Sequence, residues 1–298
     1  MKSWKNKPVG KLTLGFEDSL KRRIIGDLHF GEPGADVELF EKLLEDARDQ
    51  NRKVILLGDL ITSIIPDDKR FEIETHAESF AEQQDYLNGI LDKYHDIVEL
   101  VFMGNHEGKL IKKHGDFLEK MCKRHGINYA GFRCNILYEK DTNQFNVLYT
   151  HGDKTFNYRA GEEVRKQTNK RIRLKDILGN GIEADMYVQG HAHEGVMYTD
   201  PFTLYMVNED GERYEERYLQ TGEGKTYVCI PALLRGHQHE SYASRSGYAP
   251  TEVGCVDLEW DEDLNIKDLE IKVSKGDDFG TKESYADRRS VVEDDKMV

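Results

Sequence analysis

Apolar runs in the first two thirds of the chain end alike. RRIIGD (22–27), KVILLGD (53–59), IVELVFMGN (97–105), FNVLYTHGD (145–153) and ADMYVQGH (184–191) each close on a glycine followed or preceded by Asp, Asn or His. Short continuous apolar runs bounded by turn residues read as strands buried on both faces. Between them, DVELFEKLLEDARDQ (36–50) and ESFAEQQDYLNGILDKY (78–94) carry apolar residues at helical spacing and read as covering helices. This alternation predicts an α/β fold, central β-sheets flanked by helices, with the reactive residues beyond the strand ends. After residue 195 the texture becomes β-rich. VMYTDPFTLYMV and RYEERYLQ flank the turn NEDGE as a hairpin, and KTYVCIPALL and EVGCVDLEW follow as strands. No Pro, Gly or Ser-rich linker separates this C-terminal third, so one domain is expected over residues 1–274 and its last strand should complete the sheet. From about Lys275 the chain is charged and poor in large apolar residues, which predicts a mobile tail or an attachment point for a partner protein over 275–298.

Charge changes the picture next. Against 42 Lys and Arg stand 56 Asp and Glu, a formal charge of −14 that opposes adhesion to nucleic acid or anionic membrane unless cations are locally concentrated. Cys122, Cys134, Cys229 and Cys255 lie far apart without a CxxC pair, and the N-terminal MKSWKNKPVGK lacks the apolar run of a signal peptide. A reduced, cytoplasmic setting is the expectation, with no membrane association, since no apolar segment approaches the ~20 residues that cross a bilayer.

The strand-end clusters hold the candidate chemistry. In chain order they are Asp27 and His29 in GDLHFG, Asp59 in GDLI, Asn105 and His106 in GNHE, His151 in THGD, and His191 and His193 in GHAHE. Singly, each reads as a hydrogen-bonded structural histidine or a turn. Together they supply carboxylates, an amide oxygen and imidazoles at successive strand ends, a mixed donor set that suits Mn, Fe or Zn and predicts a dinuclear site.

In these motifs and their order, DxH, GDxx, GNH(D/E), a lone His and GHxH, the chain resembles the calcineurin-like metallophosphoesterase superfamily. The resemblance implies a β-sandwich with α layers and two divalent ions, Mn²⁺ foremost with Fe or Zn as alternatives. By that resemblance Asp27, His29, Asp59 and His193 hold one ion, and Asp59, Asn105, His151 and His191 the other. Elementary chemistry agrees with the allocation. A bridging ligand needs two oxygens and negative charge, which Asp59 has. Histidines of an HxH word just past a strand can fork around neighbouring ions. Two divalent ions, two carboxylates and a hydroxide leave about one positive charge, a local anion trap in an acidic protein.

Such a site hydrolyses phosphoesters by direct attack of metal-activated water. No GxSxG word offers a protein nucleophile. The resemblance gives Asp59 and His106 the catalytic roles, His106 as transition-state stabiliser or proton donor to the departing oxygen, with structural support of the centre as its alternative. The chain departs from the phosphoprotein-phosphatase pattern GDxxDRG, having GDLITSI, and its DLHFG and GDLI words look more similar to the nuclease and nucleotide-phosphodiesterase branches. The segment 154–175, KTFNYRAGEEVRKQTNKRIRLK, concentrates cations including Arg159 and Arg165. On a helix overlooking the cleft they would track a polynucleotide, with Phe156 and Tyr158 stacking on bases; the plainer reading is a solvated, salt-bridged face. A second histidine word, GHQHE (236–240), follows IPALLRG, where a loop returns to the site rim in the superfamily. His237 there, and Arg245 in YASRSGYAP, are either substrate contacts or ordinary loop residues. The sequence thus predicts a dimetal phosphodiesterase acting on DNA. The alternatives are a phosphoesterase of nucleotides or cyclic nucleotides and, from another class, a silent scaffold retaining the fold.

Overall fold

The structure, a computed structural model, describes residues 9–16, 19–66, 68, 71, 78–156, 162–179, 181–200, 202–207, 213–218, 224–235, 252–275 and 278–284. Four of its strands, β2 (Lys21–Ile25), β3 (Lys53–Leu56), β4 (Val98–Phe102) and β5 (Asn128–Gly131), run parallel and adjacent. On the far side of β2, β13 (Gly254–Trp260), β14 (Ile266–Lys275) and β15 (Asp278–Ser284) add antiparallel strands and complete a seven-stranded sheet. The expectation that EVGCVDLEW extends the sheet holds. The expected tail does not begin at 275, because Asp278–Ser284 pairs with β14. Its backbone groups gain ladder hydrogen bonds there, which outweighs the polar composition of the segment. Residues 285–298 lie outside the described residues.

A second sheet has the order β1-β6-β7-β8-β12-β9, from β1 (Gly10–Gly15), β6 (Arg133–Lys140), β7 (Asn143–Thr150), β8 (Met186–Gln189), β12 (Thr226–Cys229) and β9 (Val196–Thr199). β7, β8 and β12 are mutually parallel. The predicted hairpin forms a separate two-stranded ribbon of β10 (Phe202–Val207) and β11 (Arg213–Tyr218), while its NEDGE turn lies outside the described residues.

The two large sheets face each other. Ile24, Ile55 and Phe102 of the first pack with Ile136, Val147, Tyr149 and Val188 of the second in one buried cluster. On the outer face of the first sheet lie α1 (Val37–Asp49), α2 (Phe80–Tyr94) and α4 (Phe117–His125), which bury Phe40, Leu44, Leu91 and Leu118 against it. On the outer face of the second lies α5 (Glu163–Leu178), burying Leu174 and Leu178 against Tyr187 and Tyr227. The result is a four-layer α/β/β/α sandwich, and both sheets contribute parallel strands whose carboxyl ends meet at one edge. α1 and α2 start as their sequences dictate, with Asp36 and Ser79 accepting from the third backbone N–H of each helix.

One polar cluster interrupts the apolar sheet. Arg23 on β2 is fully buried and makes a bidentate pair with Asp257 on β13, 2.7 Å for each bond; Lys272 on β14 adds a 2.8 Å contact to the same carboxylate. Burial would raise the Asp257 pKa, but the bonds and charge of Arg23, with Arg52 and Lys272, outweigh it and hold the group below its ordinary value. This contribution to stability is therefore present above the ordinary carboxylate range near 3.8 and is lost as pH falls through the lower folded value. Removing the carboxylate takes the bidentate partner from buried Arg23 and leaves it only Asp46 and the Leu43 carbonyl. We expect Asp257→Ala to destabilise by about 3–5 kcal/mol in urea unfolding at neutral pH, with the gap to wild type narrowing below pH 4; a loss under 1 kcal/mol would contradict this account.

Candidate metal centre

Each motif residue sits one to four positions past a strand, where the chain must leave the sheet. Asp27 and His29 follow β2, Asp59 follows β3, Asn105 and His106 open α3 (Asn105–His114) after β4, His151 follows β7, and His191 and His193 follow β8. Turning so sharply requires unusual backbone. Asp27, His29, Asp59, His191 and His193 all adopt left-handed φ values, between 49° and 65°. Such conformations cost on the order of 1–3 kcal/mol each for a non-glycine residue and persist only when their surroundings enforce them. Backbone bonds supply that enforcement: Asp27 N–H donates to Gly58 O at 3.0 Å, His29 N–H to Asp59 O at 2.9 Å, and Leu233 N–H to Asp27 O at 3.1 Å. The last comes from the IPALLRG segment, which does return to the site.

Close approach also dictates glycine. Gly58 has φ +88°, and a Cβ on it would meet Gly104 N at 2.6 Å; a Cβ on Gly104 would overlap Asp59 Oδ1. The β3 and β4 turns are thereby pressed together.

The two carboxylates are deployed in parallel ways. Asp27 Oδ2 accepts from His191 N–H at 3.0 Å, and Asp59 Oδ1 accepts from His106 N–H at 2.8 Å. Their other oxygens turn inward. Asp27 Oδ1 is buried without a hydrogen-bond partner, 3.3 Å from His193 Nε2. Asp59 Oδ2 lies 3.1 Å from His151 Nε2 and 3.8 Å from His29 Nε2, between the two halves of the site. Potential ligand atoms fall within 4.8 Å of one another in three groups: Asp27, His29 and His193; Asp59, His151 and His191; and His29, Asp59 and His106. Asn105 Oδ1 is 3.2 Å from His151 Nε2. All seven residues expected as ligands therefore converge from five distant points of the chain.

The donor set fits cations. His151 Nδ1 lies 2.9 Å from Leu57 O, so it carries the proton and donates. Its Nε2 lone pair would then face Asp59 Oδ2 and Asn105 Oδ1, both acceptors. Three lone-pair-bearing atoms at such range require positive charge between them. Without an ion only a proton can supply it, and although burial opposes the charged imidazolium, Asp59 and Asp27 push the His151 pKa up to about 10. His29 and His191 behave oppositely. Burial, then His106, drives His29 well down, and burial, then His151, drives His191 down to about 4. Both imidazoles are neutral at physiological pH, as metal ligands must be.

Glu107 organises this edge and was not singled out from the sequence. Its buried carboxylate accepts from Leu60 and Ile61 N–H through Oε1, and from Asp59 and Gly104 N–H through Oε2. Burial and Asp59 raise its pKa, while those backbone donors lower it. The signal was a Glu three residues after Gly104, the reach-back position of a capping box. His106 is anchored as well, its Nδ1 bonded to Thr62 O and its ring edge-on to His29 with centroids 4.6 Å apart.

A family model for calcineurin-like phosphoesterase matches residues 21–241, most of the chain and every candidate ligand. The chain belongs to the calcineurin-like phosphoesterase family. No curated protein matches it. The mixed sheets and flanking helices are those of a phosphoesterase domain, and its Asp and His clusters could hold metal.

Expected substrate contacts are less converged. Arg165 is on α5 with its side chain 80% exposed, 3.5 Å from Glu162. Phe156 is buried against the second sheet and is not available for base stacking, because its ring fills the apolar layer beneath α5. Arg159, Tyr158, His237 and Arg245 lie outside the described residues. Lys170 pairs with Glu194, the residue after His193, at 2.7 Å, so α5 is tied directly to the GHAHE loop.

We expect Glu107→Gln to strand two of the four backbone donors, since an amide has one acceptor oxygen. At about 1–3 kcal/mol per stranded group, urea unfolding in EDTA should show a loss of roughly 2–6 kcal/mol. Unchanged stability would mean that Glu107 does not organise the β3 and β4 turns.

Proposed function

We propose that this phosphoesterase hydrolyses phosphodiester bonds, that two divalent ions serve it, Mn²⁺ foremost, and that its substrate is nucleic acid, most readily DNA. The observation that carries the reading is the deployment of Asp27 and Asp59, each with one oxygen held by backbone and the other turned toward imidazoles. In this reading Asp27, His29, Asp59 and His193 hold one ion, and Asp59, Asn105, His151 and His191 the other, with Asp59 shared. Bound there, the ions acidify water and offset the charge of the phosphate.

The protein's own groups do the rest. His106 has Nδ1 committed to Thr62 O, which directs its opposite nitrogen toward the site and suits it to give a proton to the departing oxygen. Asp59 Oδ1 receives the His106 N–H, so the residue that shares the ions also fixes the base of the acid. The N-terminus of α3, whose His106 N–H is given to Asp59, adds partial positive charge beside that carboxylate.

Support for a polynucleotide comes from α5, docked to the GHAHE loop and carrying exposed Arg165 and Arg173. A second reading, a nucleotide or cyclic nucleotide as substrate, draws support from the same helix. Lys170, Arg171 and Lys175 are paired with Glu194, Glu283 and Asp200, at 2.7, 3.5 and 2.7 Å, and the net charge is −14. The four cysteines are free and buried, which agrees with a reducing, cytoplasmic setting. Among the described residues no helix is long and apolar enough to cross a membrane.

The test is a panel of labelled single-stranded DNA, bis(p-nitrophenyl) phosphate and nucleotides with Mn²⁺, run on wild type, Asp59→Asn and His106→Ala. Asp59→Asn should lose metal and all turnover. His106→Ala should keep metal and slow hydrolysis by about 10²–10⁴-fold. Full activity in Asp59→Asn would refute the shared-ligand assignment, and wild-type protein free of metal and turnover would instead make the chain a scaffold.

A further inference from the structure

Behind the His151 half of the centre lies a cavity of about 670 Å³, between the strand ends and α5. Its wall is made of chain neighbours of the candidate ligands: Thr150 and Gly152 flank His151, Gln189 precedes His191 by two, and Met103 precedes Asn105 by two. His151 N–H donates to Phe132 O, and the Phe132 ring, which lines the cavity, stands edge-on to His151 with centroids 5.9 Å apart, so cavity and centre adjoin.

Arg133 lines this cavity from the first position of β6, paired in register with Thr150. It is only partly exposed, its Nε is buried without a hydrogen-bond partner, and among the described residues its guanidinium has no hydrogen-bonded carboxylate. Burial lowers its pKa, and Tyr187 and Asp153 only partly offset that. Arg52, which is buried, also keeps one guanidinium nitrogen without a hydrogen bond but lies 3.6 Å from Asp257, and the two most deeply buried arginines are fully paired. Arg22 and Arg23 each have a bidentate acid, Glu99 and Asp257. Two carboxylates do border the cavity. Asp116 is committed to capping α4 and to the Tyr129 hydroxyl, and Asp153 is exposed to solvent. Lys154 stands at the same wall, its backbone carbonyl held by Gln189 Nε2 at 3.2 Å and its ammonium without an ion pair among the described residues. A guanidinium kept partly desolvated without an acid is poised to take an anion from outside, bidentately where the anion is phosphate.

We propose that Arg133, with Lys154 beside it, binds a phosphate of the substrate next to the one being hydrolysed. The proposal rests on the phosphoesterase reading and deepens it, giving preference to substrates with at least two phosphate groups. Those groups belong either to a polynucleotide or to a small bisphosphorylated nucleotide.

Two probes separate the sources. Fluorescein-labelled oligothymidylate is titrated by anisotropy in Ca²⁺ across a salt series, and thymidine 3′,5′-bisphosphate is tested as inhibitor of bis(p-nitrophenyl) phosphate hydrolysis in Mn²⁺. With Arg133→Gln we expect weaker binding, on the order of fivefold, and a salt slope reduced by about 0.7, the value for one single-strand phosphate contact. kcat/KM on bis(p-nitrophenyl) phosphate, which has one phosphate, should stay unchanged, and Arg133→Lys should recover much of the binding. Weakening of both probes assigns the subsite to polynucleotide, and of the bisphosphate alone to a small nucleotide. Unchanged values for both, no binding of either probe by wild type, or equal damage to bis(p-nitrophenyl) phosphate hydrolysis would overturn the proposal. Failure of wild type to hydrolyse bis(p-nitrophenyl) phosphate at all would sink the phosphoesterase reading, while the anisotropy series would still judge Arg133.

Discussion

Two buried carboxylates with their oxygens split between backbone and centre are the constraint on which this protein depends. Asp27 Oδ2 and Asp59 Oδ1 are bound by N–H groups of His191 and His106, residues brought by other strands. This fixes the rotation of each side chain, so that Oδ1 of one and Oδ2 of the other cannot turn away from the imidazoles. Buried carboxylates are expensive without compensating charge. The molecule concentrates that expense where a cation can relieve it. The same two bonds tie the β8 turn to the β2 turn and the β4 turn to the β3 turn, so ligand orientation and loop assembly are one event.

The sandwich makes this meeting feasible. Parallel β2, β3 and β4 deliver Asp27, Asp59 and Asn105 from one sheet, and parallel β7 and β8 deliver His151, His191 and His193 from the other. A sheet alone would leave these turns in an open row. Packed face to face through the apolar layer between them, the sheets bring the two rows within ligand distance. The left-handed residues are the local expression of this demand, since a chain leaving a strand in ordinary extended conformation would carry its side chain past the centre.

Much of this was legible in the chain. Each apolar run ending in a polar glycine turn became a parallel strand, because strands covered on both faces have no other pattern, and the motif residues fell at the ends for the same reason. A helix in the cationic 154–175 segment and the hairpin were also readable, the helix running over Glu163–Leu178. What escaped has physical causes. Glu107 shows in sequence only as the capping-box partner of Gly104; its bonds to the β3 turn, nearly fifty positions back, are to backbone groups and leave no sequence signature. Phe156 looked like a ring among cations, but its neighbour in space is the apolar layer under α5. β15 hid in a segment too polar to bury, because edge pairing asks only for backbone. Arg133 gave no sign at all, as its lack of an acid is a property of the fold.

The salt bridge between Arg23 and Asp257 spans 234 positions of the chain. During synthesis from the N-terminus, β2 therefore emerges long before β13, and although Asp46 can pair with Arg23 early, the outer edge of β2 waits for a strand 234 positions on. Topologies so rich in distant contacts nucleate slowly and expose strand edges meanwhile. The nascent polypeptide thus carries this sheet unfinished until β13 has been made and can pair with β2.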